Sequence, residues 1–166
     1  MLIASVSYSQ DAFTFNQNGL QPKFLVNSID SLDQSQLYTK SINWIKNNFK
    51  NPDEVIDTTI ENEMIRITGI DPGAVKVGSV VFDIKYTIKI SFKNNRYKFE
   101  PLSIKCKSQG IELGWIDFSL TDGHMYFDKN NKVIKKFKAY TIEIPAALNE
   151  LNENLINYIN SNSDGW

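Results

Sequence analysis

Cysteine and histidine are almost absent from this chain of 166 residues, since Cys106 and His124 are the only examples. A single cysteine excludes a disulfide within the chain, and the two residues together are too few for any zinc site built from cysteine and histidine alone. No apolar run approaches the roughly 20 residues that a membrane-spanning helix needs, so we expect no membrane span.

An excess of charge of either sign is also missing. The chain has 18 lysine and arginine residues against 19 acidic residues, which gives a formal net charge of -1. A protein that attracts nucleic acid or an anionic membrane through its overall charge carries a clear positive excess. The composition therefore gives no global electrostatic support for either partner.

What is present is the composition of an ordinary globular protein. Hydrophobic residues make up 42% of the chain and aromatic residues 12%, which is unlike a disordered sequence. The length suits one domain that is large enough to bury a core. We predict a single domain over residues 11–161, preceded by a separate segment at 1–10 and followed by a polar tail at 162–166.

The clearest helix is predicted over residues 32–50, within SLDQSQLYTKSINWIKNNFKNP. Ser31 and Gln34 have the spacing of a capping box, and Pro52 stops the helix. Apolar residues recur every three or four positions, which places them on one stripe of the helix. The stripe consists of Tyr38, Ile42, Ile45 and Phe49, with Leu37 and Trp44 beside it.

Strands are predicted on both sides of this helix. One or two short strands are expected between residues 11 and 29, where apolar residues alternate with polar ones. Residues 55–60 are expected to pair with EMIRITGI, and the following DPGAVKVGS is expected to be a loop with a turn at 71–73.

The strongest strand signal is VVFDIKYTIKISF, in which every second residue from Phe82 to Phe92 is apolar. Such alternation predicts an antiparallel sheet with one buried face and one solvent-facing side. A hairpin turn at 94–95 leads into RYKFEPLSIKC. The alternation of that strand reverses at Pro101, as a β-bulge or an edge position requires, so Leu102, Ile104 and Cys106 are expected on one face.

The last third of the chain is less regular. Residues 108–132 predict an irregular segment with polar turns, and VIKKFKAYTIEI predicts a last strand because Tyr140, Ile142 and Ile144 alternate. Pro145 suits the first turn of a second amphipathic helix that reaches residue 161. The element order predicts an α+β two-layer sandwich, in which two helices cover one face of an antiparallel sheet.

The first ten residues, MLIASVSYSQ, allow two interpretations. An apolar stretch followed by the small-x-small triplet Ser7, Tyr8 and Ser9 is typical of the end of a signal peptide, although the basic start and most of the apolar core are missing. The alternative is an N-terminal strand, which the adjacent apolar residues Leu2 and Ile3 fit poorly.

A longer stretch, LYTKSINWIKNNFKNPDEVIDTTIENEMIRITGI, resembles the N-terminal half of a bacterial family, the domain of unknown function numbered 4468, which is described as having a TBP-like fold. The resemblance covers residues 30–120. The matching features are the Leu37–Tyr38 and Trp44–Ile45 pairs, the break at 50–52, and Ile65 with Gly69 on the following strand.

This resemblance implies a TBP-like order of elements and an exported protein, because members of the family carry signal peptides. It favours a truncated signal-peptide remnant at residues 1–10, with cleavage between Ser9 and Gln10, and it implies a periplasmic, cell-envelope or secreted location. The family brings no catalytic residues, and a TBP-like fold does not by itself make a DNA-binding protein.

Two groups of residues could carry catalysis. A small hydrolase could use Asp117, Asp122 and His124, since histidine is the side chain that titrates near neutral pH. Cys106 could serve as a nucleophile with His124 and Asp117, but it falls on an apolar position of its strand, which favours a buried thiol. We expect both His124 and Cys106 to be structural.

Metal and cofactor sites are not predicted. Asp117, Asp122 and Asp128 could form a carboxylate pair or a calcium site, but their spacing is not that of an EF-hand, and DKNNK is typical of a hairpin turn. We expect no metal and no cofactor.

A lysine-rich sheet face is the basis for nucleic-acid binding as an alternative. Basic side chains beside aromatic rings can hold single-stranded nucleic acid. Interspersed acids, including Asp83, Glu100, Glu112 and Asp117, favour a solvated face, and we expect nucleic acid not to be the partner. The basic residues are Arg66, Lys76, Lys85, Lys89, Lys98, Lys105 and Lys107, with Tyr97 and Trp115 as the rings.

The preferred prediction is therefore an exported, non-enzymatic binding or interaction domain. Its site is expected in a groove between the sheet and the irregular segment 108–127, with a small molecule or a protein as the partner. Trp115, His124 and Tyr126 are the candidate ligand-binding residues, and Trp44 and Trp166 are the other tryptophans considered for recognition.

Overall fold

The computed structural model of the chain describes residues 12–110 and 112–161. The predicted signal remnant at 1–10 and the polar tail at 162–166, with Trp166, lie outside the described residues. Within those two ranges, no helix is long and apolar enough to cross a membrane.

The described residues form eight strands and three α-helices, together with two short 3-10 helices at His124–Tyr126 and Lys135–Phe137. The helices are α1 (Gln34–Asn48), α2 (Pro52–Val55) and α3 (Lys138–Asn160). The strands are β1 (Thr14–Asn16), β2 (Gly19–Gln21), β3 (Leu25–Ser28), β4 (Ile56–Ile60), β5 (Met64–Val77), β6 (Val80–Lys93), β7 (Arg96–Ser108) and β8 (Ile116–Phe118).

One antiparallel sheet of six strands dominates the fold. Its order is β3-β7-β6-β5-β4, and β8 pairs with the same edge of β7 as β3 does, further along that strand. Helices α1 and α3 pack on one face and on each other. This arrangement confirms the predicted α+β two-layer sandwich, and we call the opposite face, which α1 and α3 leave uncovered, the open face.

Strand β6 shows why the sheet has two different faces. Its alternating apolar residues are buried under the helices, including Ile84, Ile88 and Ile90, each no more than 1% exposed. The polar residues between them point to the open face. The predicted hairpin at 94–95 is also confirmed, and Asn95 adopts the positive φ of 62° that such a turn requires.

The reversal predicted at Pro101 is a β-bulge. Thr87 pairs with Ser103 and Ile88 pairs with Pro101, so Leu102 is the extra residue on β7. Leu102 is 44% exposed, which corrects its predicted place beside Ile104 and Cys106 on the buried face. The extra residue of the bulge accounts for the reversal of the apolar alternation that the sequence shows at Pro101.

Helix α1 begins two residues later than predicted, with a different capping box. The side chain of Asp33 accepts a hydrogen bond from the Gln36 backbone N–H at 2.8 Å, and the Gln36 side chain accepts one from the Asp33 backbone N–H at 2.9 Å. Ser31 has a φ of 67°, which is incompatible with the extended geometry of an N-cap. The buried stripe is centred on Leu37, Ser41, Trp44 and Ile45.

The loop predicted around 71–73 is wrong, because β5 continues through it to Val77. A register shift between Asp71 and Val75 accommodates Pro72 within the strand, and the Asp83 carboxylate accepts the Gly73 backbone N–H at 2.9 Å. Reversal occurs instead at Gly78, with a φ of 61°.

The last predicted strand is also wrong, because residues 135–137 form a 3-10 helix and residues 138–144 form the first two turns of α3. Tyr140, Ile142 and Ile144 alternate, yet Ile142 is 56% exposed while Ile144 is fully buried, as helical spacing demands. Thr141, Ile144 and Leu148 face the core together, so Pro145 lies inside the helix and does not open it.

The region before β3 forms a separate hairpin of β1 and β2, where one or two short strands were predicted. Asn149 of α3 holds the start of this hairpin, because its side chain accepts the Phe13 backbone N–H at 2.8 Å and donates to the Phe13 carbonyl at 3.0 Å. The hairpin thereby lies beside α3, next to the end of the sheet where β8 is.

Candidate functional site

An apolar cavity of about 320 Å³ lies where the ends of β6 and β7 meet β8 and the first turns of α3. This is the location that the sequence predicts for a groove beside segment 108–127, and its size falls within the range of small-ligand pockets, about 300–1,000 Å³. The walls are mainly aromatic. The aromatic lining residues are Phe82, Phe118, Tyr126, Phe137 and Tyr140.

These rings contact one another and form a continuous wall. Phe118 stacks on Tyr126 with ring centroids 4.8 Å apart, and Phe137 meets Tyr126 edge-on at 5.1 Å. Phe82 and Tyr140 form another edge contact at 5.4 Å. Such contacts stabilise the rings beyond their burial alone, so the wall is held in place by its own packing.

Tyr126 is the best-anchored member of the wall. Its hydroxyl oxygen accepts a hydrogen bond from the Ser119 backbone N–H at 3.1 Å, and its ring is only 4% exposed. Burial raises the pKa of Tyr126 above its ordinary value. The phenol is therefore neutral at physiological pH and serves as a fixed wall element.

The mouth of the cavity is unusually apolar. Leu113, Ile116 and Met125 line it and are 53%, 59% and 61% exposed, respectively. Isolated exposed apolar side chains are ordinary on a protein surface, but a cluster around one opening indicates a contact site. Apolar surface is therefore present at the rim of the cavity as well as on its inner walls.

Two glycines allow the irregular segment to lie against the β1–β2 hairpin. A Cβ atom at Gly123 would overlap the Asn16 carbonyl, and a Cβ at Gly19 would overlap the Leu120 carbonyl. Backbone hydrogen bonds cross the same contact, from Gly123 to Gln17 at 3.0 Å and from Leu20 to Leu120 at 2.8 Å. The hairpin thus fixes the segment that supplies Tyr126 and Met125.

The cavity contains one of the three candidate ligand-binding residues. Tyr126 lines it, whereas Trp115 is half-buried and His124 is exposed, and neither borders it. The His124 backbone N–H donates to the Asp122 carboxylate at 3.0 Å, so that carboxylate caps a turn.

Cys106 and Asp117, which one hydrolase hypothesis brings together, point to opposite faces of the sheet. Cys106 is buried beside the cavity, and burial raises the pKa of its thiol to about 11, which opposes nucleophilic reactivity. Asp117 pairs in register with Lys105, so it points to the open face, away from Cys106. An ion pair of 3.3 Å with Lys105 holds the Asp117 carboxylate there.

The carboxylates considered for calcium have structural partners. Asp128 accepts the backbone N–H groups of Asn130 and Lys132 at 2.8 and 2.9 Å, which confirms the predicted hairpin turn. Over the residues that the structure describes, no group of three or more histidine, cysteine, aspartate or glutamate side chains is placed to hold a metal ion.

The lysine-rich side of the sheet is the open face, where four of the seven basic residues considered form ion pairs with carboxylates of the described residues. Tyr97, considered as a stacking ring, lies on the opposite face, where it is 1% exposed and donates to Asn152 Oδ1 at 3.1 Å. The ion pairs on the open face are Arg66 with Asp57, Lys89 and Lys98 with Glu100, and Lys105 with Asp117.

Sequence reasoning missed most of the cavity lining. Phe82, Phe137 and Tyr140 come from elements that are distant in the chain, and the last two were assigned to a strand. The one usable signal was the concentration of apolar residues in an otherwise irregular segment, where Leu113, Ile116 and Met125 have no periodic neighbours.

Comparisons with known proteins agree with the fold. A family model described as "Domain of unknown function (DUF4468) with TBP-like fold" matches residues 25–107. A crystal structure of a DUF4468 family protein from Bacteroides ovatus is 14% identical with a TM-score of 0.68, and the match covers 83% of this chain and 85% of that one.

A crystal structure of a TBP-like protein from Parabacteroides distasonis is 13% identical with a TM-score of 0.63, and it covers 82% of this chain and 90% of that one. At these identities the similarity shows the fold alone. No curated protein matches the chain significantly. The residues matched by the family model end at 107, before the segment that supplies most of the cavity wall.

Proposed function

Since this chain belongs to the family of the domain of unknown function DUF4468, whose description names a TBP-like fold and no activity, we propose a function from its cavity. The protein is a non-enzymatic binding domain that takes a small ligand with an apolar body. The observation that carries this proposal is the aromatic-walled cavity of about 320 Å³ with its exposed apolar rim.

The lining defines the class of ligand. Aromatic walls favour a flat ring or a branched aliphatic group, because these fill the space between fixed rings at the lowest cost in ordering. The polar residues of the lining are Ser108, Asp117, Tyr126 and Tyr140, and the Asp117 carboxylate is held on the open face by Lys105. A ligand with one hydrogen-bonding group beside an apolar body would therefore match it.

A non-enzymatic role is supported by the positions of the reactive side chains. The buried Cys106 has no hydrogen-bond or ion-pair partner among the described residues that could act as its base. His124 lies exposed outside the cavity, and the carboxylates of Asp117 and Asp122 are engaged elsewhere. General acid–base catalysis requires such groups within hydrogen-bond reach of one another.

Toluene is a suitable probe for the cavity, with binding followed by saturation-transfer difference NMR. Ile116→Glu places a charge at the rim and is expected to weaken toluene binding at least tenfold, about 1.4 kcal/mol. Ile142→Glu is the matched control, because Ile142 is 56% exposed and does not line the cavity. Equal binding by both variants, or no saturation transfer to toluene in the unaltered protein, would contradict the proposal.

We further propose that the protein is exported to the periplasm, the cell envelope or the medium. The support is the small-x-small triplet at residues 7–9 and the signal peptides that the family resemblance implies. N-terminal sequencing of the mature protein from its native host should find a start near Gln10. A protein that retains Met1 and stays in the cytosolic fraction would refute export.

A further inference from the structure

A second cleft, of about 260 Å³, lies between the sheet and α3, and we propose that it binds a protonated alkylamine. It is distinct from the aromatic cavity and does not depend on the function proposed for it. Asp71 and Glu150 supply two carboxylates, and Tyr86 supplies a hydroxyl oxygen. Apolar side chains, including Ile84, Leu148 and Leu151, form the remaining walls.

The carboxylates of this cleft lack protein partners. Asp71 is partly buried at the start of the irregularity in β5, and neither its carboxylate nor that of Glu150 makes a hydrogen bond or an ion pair with any described residue. Asp57, Glu100 and Asp117 pair with lysine or arginine, whereas these two carboxylates are available to a cation. No lysine or arginine is among the residues that line the cleft.

The Tyr86 hydroxyl is an independent indication of a ligand. Tyr86 is only 5% exposed, its side chain borders the cleft, and its hydroxyl has no hydrogen-bond partner among the described residues. The tyrosine ring lies over Gly69, where any Cβ atom would overlap it. The absence of a side chain at Gly69 therefore makes room for the ring, whose hydroxyl has no hydrogen-bond partner in the described part of the chain and lies at the edge of the cleft.

The field within the cleft is negative. Burial raises the pKa of Asp71, and the neighbouring charges of Glu150 and Asp83 raise it further. Burial, together with Asp71, also raises the pKa of Tyr86. A cation bound between these groups would be attracted by both carboxylates and would stabilise their ionised forms.

The chemistry of the cleft favours an ammonium group over a metal ion. An alkylammonium has three donors, which match two carboxylates and one phenolic oxygen, and its carbon chain suits apolar walls. Calcium takes six to eight oxygen ligands, and no group of three potential metal-ligating residues occurs among the described residues. The amine could be free or be the side chain of a lysine, since both present the same group.

Two-dimensional NMR of the 15N-labelled protein tests the proposal with n-butylammonium chloride as the probe. Backbone signals around Asp71, Tyr86 and Glu150 should shift in a saturable manner. Sodium chloride and 1-butanol, which lack either the amine or the charge, should leave these signals unchanged. A titration with Nα-acetyl-lysine methylamide then distinguishes the sources, because a site for lysine side chains should bind it at least as tightly as butylammonium.

The variants identify the groups responsible. Asp71→Asn and Glu150→Gln should each weaken butylammonium binding at least fivefold, and Tyr86→Phe should weaken it less. Glu153→Gln is the control, since Glu153 is exposed on the same helix and does not line the cleft. Glu150 is itself exposed, so its variant remains informative if Asp71→Asn folds poorly. Unchanged affinity in Glu150→Gln, or displacement of butylammonium by equimolar calcium, would overturn the proposal.

Discussion

The two faces of the six-stranded sheet differ in whether their polar side chains have partners within the protein. On the open face, carboxylates pair with lysine or arginine across neighbouring strands, as Glu100 does with Lys98 at 2.8 Å and with Lys89 at 3.5 Å. On the face covered by helices, Asp71 and Tyr86 have no partner among the described residues. Asp57, Glu100 and Asp117 of the open face thus have ion-pair partners, whereas the polar groups of Asp71 and Tyr86 on the covered face are available to a ligand.

This difference places the candidate sites on the covered side of the sheet. Both the aromatic cavity and the acidic cleft are lined by residues of α3 and of the sheet, and each combines apolar walls with exposed or unpartnered groups. A ligand can gain binding free energy on the covered side, where polar groups without partners and exposed apolar side chains are available to contact it.

The largest effect on stability is expected when Ile88 and Lys89 are compared, because these adjacent residues of β6 point to opposite faces of the sheet. Ile88→Ala removes a fully buried side chain and should lower the free energy of unfolding by about 2–5 kcal/mol. Lys89→Ala removes a surface ion pair and should lower it by no more than about 1 kcal/mol. Urea unfolding monitored by circular dichroism measures both.

The comparison fails if the two variants lose similar stability. If Ile88→Ala does not fold, Ile88→Val gives the same contrast at smaller scale, with an expected loss of about 0.5–1.5 kcal/mol.

A buried polar network should have the next largest effect. Asn152 is 3% exposed, and its Oδ1 accepts hydrogen bonds from the Tyr97 hydroxyl at 3.1 Å and from Asn27 Nδ2 at 3.0 Å. Asn152→Ala removes an acceptor that both donors share, so the free energy of unfolding should fall by about 2–3 kcal/mol. Thermal or urea unfolding would measure the loss.

Asn157→Ala is the matched control for this prediction, because Asn157 is an exposed asparagine on the same helix. It should change stability by less than about 0.5 kcal/mol. A comparable loss in both variants would show that helix propensity, and not the network, is responsible.

The smallest effects should appear in the pH dependence of stability, with opposite signs on the two faces. The hydrogen bond from Lys98, with the charges of Lys98 and Lys89, lowers the pKa of Glu100, so its contribution to stability is present above the unfolded-state pKa and is lost as pH falls through the folded pKa. Burial raises the pKa of Asp71, so stability falls as pH rises through that value.

Two variants separate these contributions in urea unfolding at a series of pH values. Glu100→Gln should be less stable than the unaltered protein at pH 7, and Asp71→Asn should be more stable, each by less than about 1 kcal/mol because both groups are partly solvated. Both differences should shrink near pH 3. Carbon-13 NMR titration that places both pKa values on the same side of normal would contradict the assignment.

Much of the framework followed from patterns within short stretches of the chain. The alternation in β6 predicted a buried and an open face, the apolar spacing of α1 predicted a helix that covers the sheet, and the parity change at Pro101 predicted the bulge. These features depend on neighbours within a few residues, and the periods of 2 and 3.6 are visible in the sequence itself.

Two assignments failed where a local pattern was compatible with more than one structure. Residues 71–73 have turn chemistry, but pairing with β6 carries them through as an irregular strand. Tyr140, Ile142 and Ile144 alternate over too short a run to distinguish a strand from a helix, and the core contacts of Thr141 and Leu148 decide for the helix.

The sequence by itself determined the fold class, the family resemblance and the two-sided sheet, because these arise from composition and from periodicity within single elements. It also indicated the region of the groove, through apolar residues in an irregular segment. Only the tertiary structure decided which side chains form the aromatic cavity and the acidic cleft. Phe82 and Tyr140, or Asp71 and Glu150, meet because α3 packs on β5 and β6, and contacts between residues so distant in the chain leave no periodic trace in the sequence.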